Sequence, residues 1–169
     1  MISTLTDLTI QADFQQLTIV SPWVTTFVEH TFDLQEGRTV LAADLALAVH
    51  EVVANQIDHA YRNANAANTS GASGQIALSL NYDAQHDAII ARSKDWGWAL
   101  HTADLPHTRW RATPQGQQLI SVEEPTWDQV RGRGLFLIHS LTNNVLYQST
   151  PEFNVWTLTK LVRWGQKNH

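Results

Sequence analysis

Cysteine is missing from all 169 residues. Disulfides and thiolate metal sites are therefore excluded, and a reducing compartment is the simpler setting. Charge is sparse as well, at 16% of residues, with a formal net charge of −5 and a pI near 5.8. The basic footprint that a nucleic-acid partner requires is lacking. A small phosphate site is still allowed, because a few backbone N–H groups bind phosphate without net positive charge. The first residues carry neither the basic region nor the apolar core of a signal peptide. No apolar run approaches the roughly 18 residues of a membrane span. The expectation is a soluble, cytoplasmic protein without membrane or nucleic-acid partners. Asn68-Thr69-Ser70 matches a glycosylation acceptor in form, but without a secretory signal it carries no weight.

What is present is a globular composition, 43% apolar, in a length that suits one domain over 1–169. Thr4–Ile10 alternates loosely, as an edge strand would. Trp23, Phe27, Val28 and Phe32 are spaced for a helix face, with Pro22 suited to the first turn. Thr39–Arg62 has no Gly or Pro and is rich in Ala and Leu, the strongest helical signal in the chain. Asn63–Gly74 reads as a loop. Gln75–Tyr82 and Asp87–Asp95 read as neighbouring strands. From Gly97 to Arg131 no period holds, because Pro106, Pro114, Gly116 and Pro125 interrupt it. So long an irregular stretch is usually functional or mobile, and it is expected to form a lid over about 97–131. Trp110 and Trp127 within it would be partner anchors or a small separate core. Gly134–Thr142 looks helical, and Asn144–Ser149 and Asn154–Val162 look like two final strands. This order predicts an α+β fold, a two-layer sandwich with helices packed on one face of a mostly antiparallel sheet.

On the long helix, with Glu51 set at zero, Asp44, Asn55, Asp58 and Arg62 fall within about 40° of it. Ala42, Val49, Val53, Ile57 and Ala60 fall on the other side and would meet the sheet. Most polar stripes face water. This one is acid and amide, without the Glu/Lys mixture of exposed helices. Glu51 and Asn55 are four apart and point to one spot, where a carboxylate can take a proton and an amide oxygen suits Mg²⁺. His50-Glu51 begins like the zinc motif H-E-x-x-H, but position 54 is Ala, so the i,i+4 histidine pair of a zinc protease does not exist and His50 reads as a packed or boundary histidine.

Three segments then stand in order. Glu51-Val-Val-Ala-Asn55-Gln-Ile-Asp-His59-Ala60-Tyr61 resembles the N-box of GHKL-type ATPases, and is closest to the E-x-x-x-N-x-x-x-H-A-Y of bacterial anti-sigma-factor serine/threonine kinases. Asp95-Trp96-Gly97 resembles the D-x-G of the G1 box, and Arg131-Gly132-Arg133-Gly134-Leu135 resembles the G2 box. The last strand ends the chain as the family's does, with Thr157 or Thr159 where a threonine often contacts the base. The resemblance, from Leu41 to Val162, implies an ATP- and Mg²⁺-binding kinase. It implies Asn55 on Mg²⁺, Glu51 as catalytic base, Asp95 on the adenine amino group and Gly97 giving room for the base. Gly132, Gly134 and Leu135 would present phosphate-binding N–H groups at a helix start, with charge added by Arg131 or Arg133. His59 would orient Asn55 or pack under the lid. One departure is Ala99, where the family usually has the second Gly of D-x-G-x-G. The other is the length of the stretch between the G1 and G2 boxes.

The resemblance also implies partners: a STAS-domain anti-sigma antagonist as substrate, a sigma factor, and a possible homodimer. A sensor histidine kinase would need a dimerising helical hairpin ahead of the N-box helix, and the roughly 40 residues there are too few. The alternative is a non-catalytic nucleotide-binding or partner-switching module.

Overall fold

Alternation dictates the sheet. In Gln75–Asp83 (β2), Ile76, Leu78 and Leu80 are buried while the residues between them are not. Such a period-2 pattern covers one face of a sheet and leaves the other open. The computed structural model describes residues 5–33, 37–61, 74–128 and 132–162. Arg62, Arg131, Asn68-Thr69-Ser70 and nearly all of the expected loop 63–74 lie outside the described residues.

Seven strands pair in one sheet: β1 (Leu5–Gln11), β2, β3 (Ala88–Asp95), β4 (Thr108–Thr113), β5 (Gly116–Val122), β6 (Asn144–Ser149) and β7 (Asn154–Leu161). Their order is β1-β2-β3-β7-β6-β5-β4, and every pairing is antiparallel. The core is built from the inward residues of the strands and the apolar sides of three α-helices, α1 (Leu17–Thr31), α2 (Arg38–Asn55) and α3 (Arg133–Leu141). The expected α+β sandwich is the observed fold, and β1 lies at one edge of the sheet, as expected, with β4 at the other.

Two expectations change. The first helix starts well before Pro22, which lies inside it. The carbonyl that Pro22 leaves without its helical donor belongs to Thr18, an exposed residue in the first turn. Val20, Val24, Phe27 and Val28 supply the buried face. The second concerns Gly97–Arg131. It contains the β4–β5 hairpin, which pairs with β6 and extends the sheet. Period counting missed it because a register shift opposite Arg109/Trp110 leaves Ile120 unpaired and breaks the alternation of β5, whose core-packed Leu119 and Val122 are three apart. Trp110 packs edge-on to Trp156 with centroids 6.2 Å apart and joins the main core. Trp127 is 91% exposed.

The long helix is the centre of the packing. Leu41, Leu45, Val49, Val52 and Val53 of α2 are buried. By length and hydropathy, Arg38–Ala60 would qualify to cross a membrane, contrary to the count from sequence, but here its apolar residues belong to the core. Asp44 of its polar stripe receives Lys160 Nζ at 2.8 Å, and the same ammonium donates to the Leu141 carbonyl at 2.7 Å. One lysine thus ties α2, the end of α3 and β7 together. After Asn55 the helix widens into a π turn, Gln56–Ala60. Such turns are rare and cluster at functional sites.

Candidate functional site

The π turn is held by the end of β3. A Cβ on Gly97 would stand 2.3 Å from the Ala60 carbonyl oxygen, and the Trp98 N–H donates to that oxygen at 3.0 Å. Only glycine permits this approach. Gly97 therefore makes room for the helix end, where the sequence had suggested room for the base. Tyr61 completes the joint: its hydroxyl donates to the Gln75 carbonyl at 2.6 Å and accepts the Trp96 N–H at 3.0 Å. Burial raises the pKa of that phenol, so it stays a donor at neutral pH.

Beside this joint lies a cavity of about 600 Å³, the size of a small-molecule site. One wall comes from Asn55, Gln56, Asp58, His59 and Ala60. Asp95, Tyr147 and Trp156 line it from the sheet, and Gly132, Gly134 and Leu135 from the start of α3. The remaining wall is Trp98, Leu100, Leu105, Pro106 and the base of the hairpin. There His107 Nδ1 lies 2.8 Å from Glu123 Oε2. Three segments separated by dozens of residues thus converge on one cavity.

Asp95 is the buried polar group of the site, 2% exposed. Gln56 Nε2 donates to its Oδ2 at 2.7 Å, while Asn154 Nδ2 and the Gly97 N–H donate to Oδ1 at 2.8 and 3.1 Å. Burial raises its pKa, and those hydrogen bonds pull it back.

The start of α3 meets the polar stripe of α2. Gly132 caps α3 with φ +90° and offers no side-chain cap, so its first-turn N–H groups are left for another acceptor. A Cβ on Gly134 would stand 2.9 Å from Glu51 Oε2 and 3.4 Å from both polar atoms of the Asn55 amide. The side chains of Glu51 and Asn55 make no hydrogen bond among the described residues. His50 Nδ1 is 3.9 Å from Glu51 Oε1, beyond hydrogen-bond reach, and has no hydrogen-bond partner among the described residues.

The structure thus brings Asn55, Asp95, Gly132, Gly134 and Leu135 to the cavity wall, with Glu51 one turn back from Asn55 and against Gly134. His59 lines the cavity 3.8 Å from Asp58. Thr157 is not brought there. Trp156 and Asn154 point inward, and period 2 turns Thr157 to the other face of β7. Arg133 is not brought there either, since its guanidinium donates to the Trp127 carbonyl at 2.9 Å. No lysine or arginine lines the cavity among the described residues. Ala99 is exposed and outside the lining, so the departure from D-x-G-x-G does not intrude. Sequence reasoning missed Gln56 and Asn154. The signal for Gln56 was available: it lies about 140° from Glu51, on the apolar side of the helix, where a polar group needs a partner.

Curated proteins give no match to this chain. The family model of the histidine kinase-like ATPase domain matches residues 10–160, and so spans all three segments that form the cavity. With that match and this geometry, the chain belongs to the histidine kinase-like ATPase domain family and is an ATP-binding domain.

Proposed function

We propose that this protein is an ATP-dependent serine/threonine kinase that acts as an anti-sigma factor in the cytoplasm. Its substrate is a serine or threonine on a STAS-domain anti-sigma antagonist, and a sigma factor is its other partner. The observation that carries this reading is the pair Glu51 and Asn55 against the start of α3. The phosphates of ATP are acceptors for the uncapped N–H groups of α3, which add the positive end of the helix dipole. With no arginine or lysine lining the cavity among the described residues, backbone N–H groups carry most of that role.

Glu51 stands beside that phosphate position, and its carboxylate makes no hydrogen bond among the described residues. Such a group takes the proton of an attacking hydroxyl, a contribution of about 10²–10⁴-fold. The Asn55 amide fits a Mg²⁺ ion: it lines the cavity, and no described residue already occupies its oxygen. Held there by the Asn55 oxygen, the ion would offset the negative charge of the phosphates. Phosphate on the antagonist adds up to about two negative charges, enough to break a packed interface.

The competing reading is a nucleotide-binding anti-sigma module that transfers nothing. A module that only sequesters has no use for a carboxylate at position 51. The test is direct. Purified protein with Mg²⁺ and labelled ATP is expected to phosphorylate the STAS protein encoded beside it, and Glu51→Ala to abolish transfer while keeping nucleotide. Wild type that binds ATP but labels no neighbouring STAS protein leaves only the binding module.

A further inference from the structure

We infer that Gln56 determines which purine the cavity accepts, by holding Asp95 so that one acceptor position remains open to a base. This rests on the ATP-binding reading of the same cavity and names how that cavity selects its base.

A carboxylate has about four lone-pair positions and no donor. Oδ1 of Asp95 is filled by Asn154 Nδ2 and the Gly97 N–H. Oδ2 receives only Gln56 Nε2. One position remains, on Oδ2, in a group that lines the cavity. It accepts an N–H from a 6-amino purine and repels the oxygen of a 6-oxo purine.

Gln56 can do this only if its amide keeps one orientation. Ser93 sets that. The amide NH₂ faces two acceptors, Asp95 Oδ2 and the Ser93 carbonyl at 3.4 Å, while Oε1 accepts the Ser93 hydroxyl at 2.5 Å. The whole relay is buried, with Gln56 at 2% exposure and Ser93 at 3%. Water does not substitute easily for a lost partner there, so the relay acts as a unit. Asn154 anchors the other side and also reaches the Gly97 and Trp98 carbonyls at 3.1 and 3.4 Å, linking Asp95 to the backbone that walls the cavity. The Gln56 amide is already engaged by Asp95 and Ser93. Gln56 is a positioning residue that acts through Asp95.

The readout is a ratio. Affinities for ATP, inosine triphosphate and purine riboside triphosphate are measured by calorimetry on wild type, Gln56→Met and Ser93→Ala. The three nucleotides share phosphates and ribose and differ at position 6 of the base. Wild type is expected to prefer ATP by about tenfold or more, the effect of one hydrogen bond to a charged group. Gln56→Met should shrink that preference to about threefold or less, with affinity for purine riboside triphosphate unchanged. A general structural defect would weaken all three nucleotides alike. If Gln56→Met does not fold, Ser93→Ala decides, since it leaves Gln56 in place and frees its amide to turn; a reduced ATP preference is then expected. Full preference in a folded variant overturns the inference while leaving ATP binding intact. A wild type that binds none of the three overturns the ATP reading and this inference with it.

Discussion

Gly134 faces Glu51 across two helices with no room for a side chain between them: a Cβ at 134 would stand 2.9 Å from Glu51 Oε2. The obstacle is the end of a flexible side chain, so the fold can accommodate an added methyl by turning Glu51. Alanine in a helix is also favoured over glycine by up to about 1 kcal/mol. Gly134→Ala is therefore expected to melt within a few degrees of wild type. Displacing a catalytic carboxylate by about 1 Å costs on the order of a hundredfold in rate. Phosphotransfer should fall by about tenfold to a hundredfold with stability nearly unchanged. Transfer at the wild-type rate would remove Glu51 from the chemistry.

A variant of Asn55 is expected to separate metal binding from nucleotide binding. The Asn55 amide lines the cavity but makes no hydrogen bond among the described residues, so its loss leaves no described partner orphaned. Asn55→Ala is expected to keep its melting temperature and to lose about 1–3 kcal/mol of ATP affinity, as for a bond to a charged group. That loss should appear with Mg²⁺ and largely vanish in EDTA. Equal affinity of wild type and variant in Mg²⁺ would take Asn55 out of the metal site.

How far the sequence was legible follows from the reach of each signal. The helix of Glu51 and Asn55 was readable because its period is local, and Ala42, Val49, Val53 and Ala60 are buried where the wheel placed them. The two loops that meet it were readable only by likeness to a family, since nothing local brings Asp95 or Gly134 near Asn55. Thr157 was misplaced by a simple parity: one residue along β7 changes the face. Asn154 was invisible for a different reason. Its role depends on the register Asp95↔Asn154 across β3 and β7, and register is a property of the assembled sheet.

Asp95→Asn tests the open acceptor from the other side. Asn154 and the Gly97 N–H demand an oxygen where Oδ1 stands. The new NH₂ must then take the place of Oδ2, beside Gln56. Gln56 can turn its amide to accept from it, because the Ser93 hydroxyl can accept in place of donating. The vacancy becomes a donor. ATP affinity is expected to fall by about tenfold or more, and inosine triphosphate to become the preferred nucleotide. Titration of both nucleotides into the folded variant decides it; a retained preference for ATP would place the base elsewhere in the cavity.

The same carboxylate gives the site a pH dependence of defined sign. Burial raises the pKa of Asp95, and the bonds from Asn154, Gln56 and Gly97 only partly oppose it. A carboxyl whose folded pKa is raised adds stability below its unfolded value of about 4, and that stability is lost as pH rises through the folded value. Nucleotide binding runs the other way. The 6-amino group donates, so it needs the ionised form, and ATP affinity rises with pH across the same window. Tyr61 and Tyr147, the titratable groups coupled to Asp95, have pKa values raised by burial and stay neutral throughout. Nucleotide phosphates titrate as well, but identically in ATP and purine riboside triphosphate. The ratio of the two affinities, measured upward from pH 4, is therefore expected to climb to a plateau in favour of ATP. A ratio independent of pH would mean that Asp95 is not the group that reads the base.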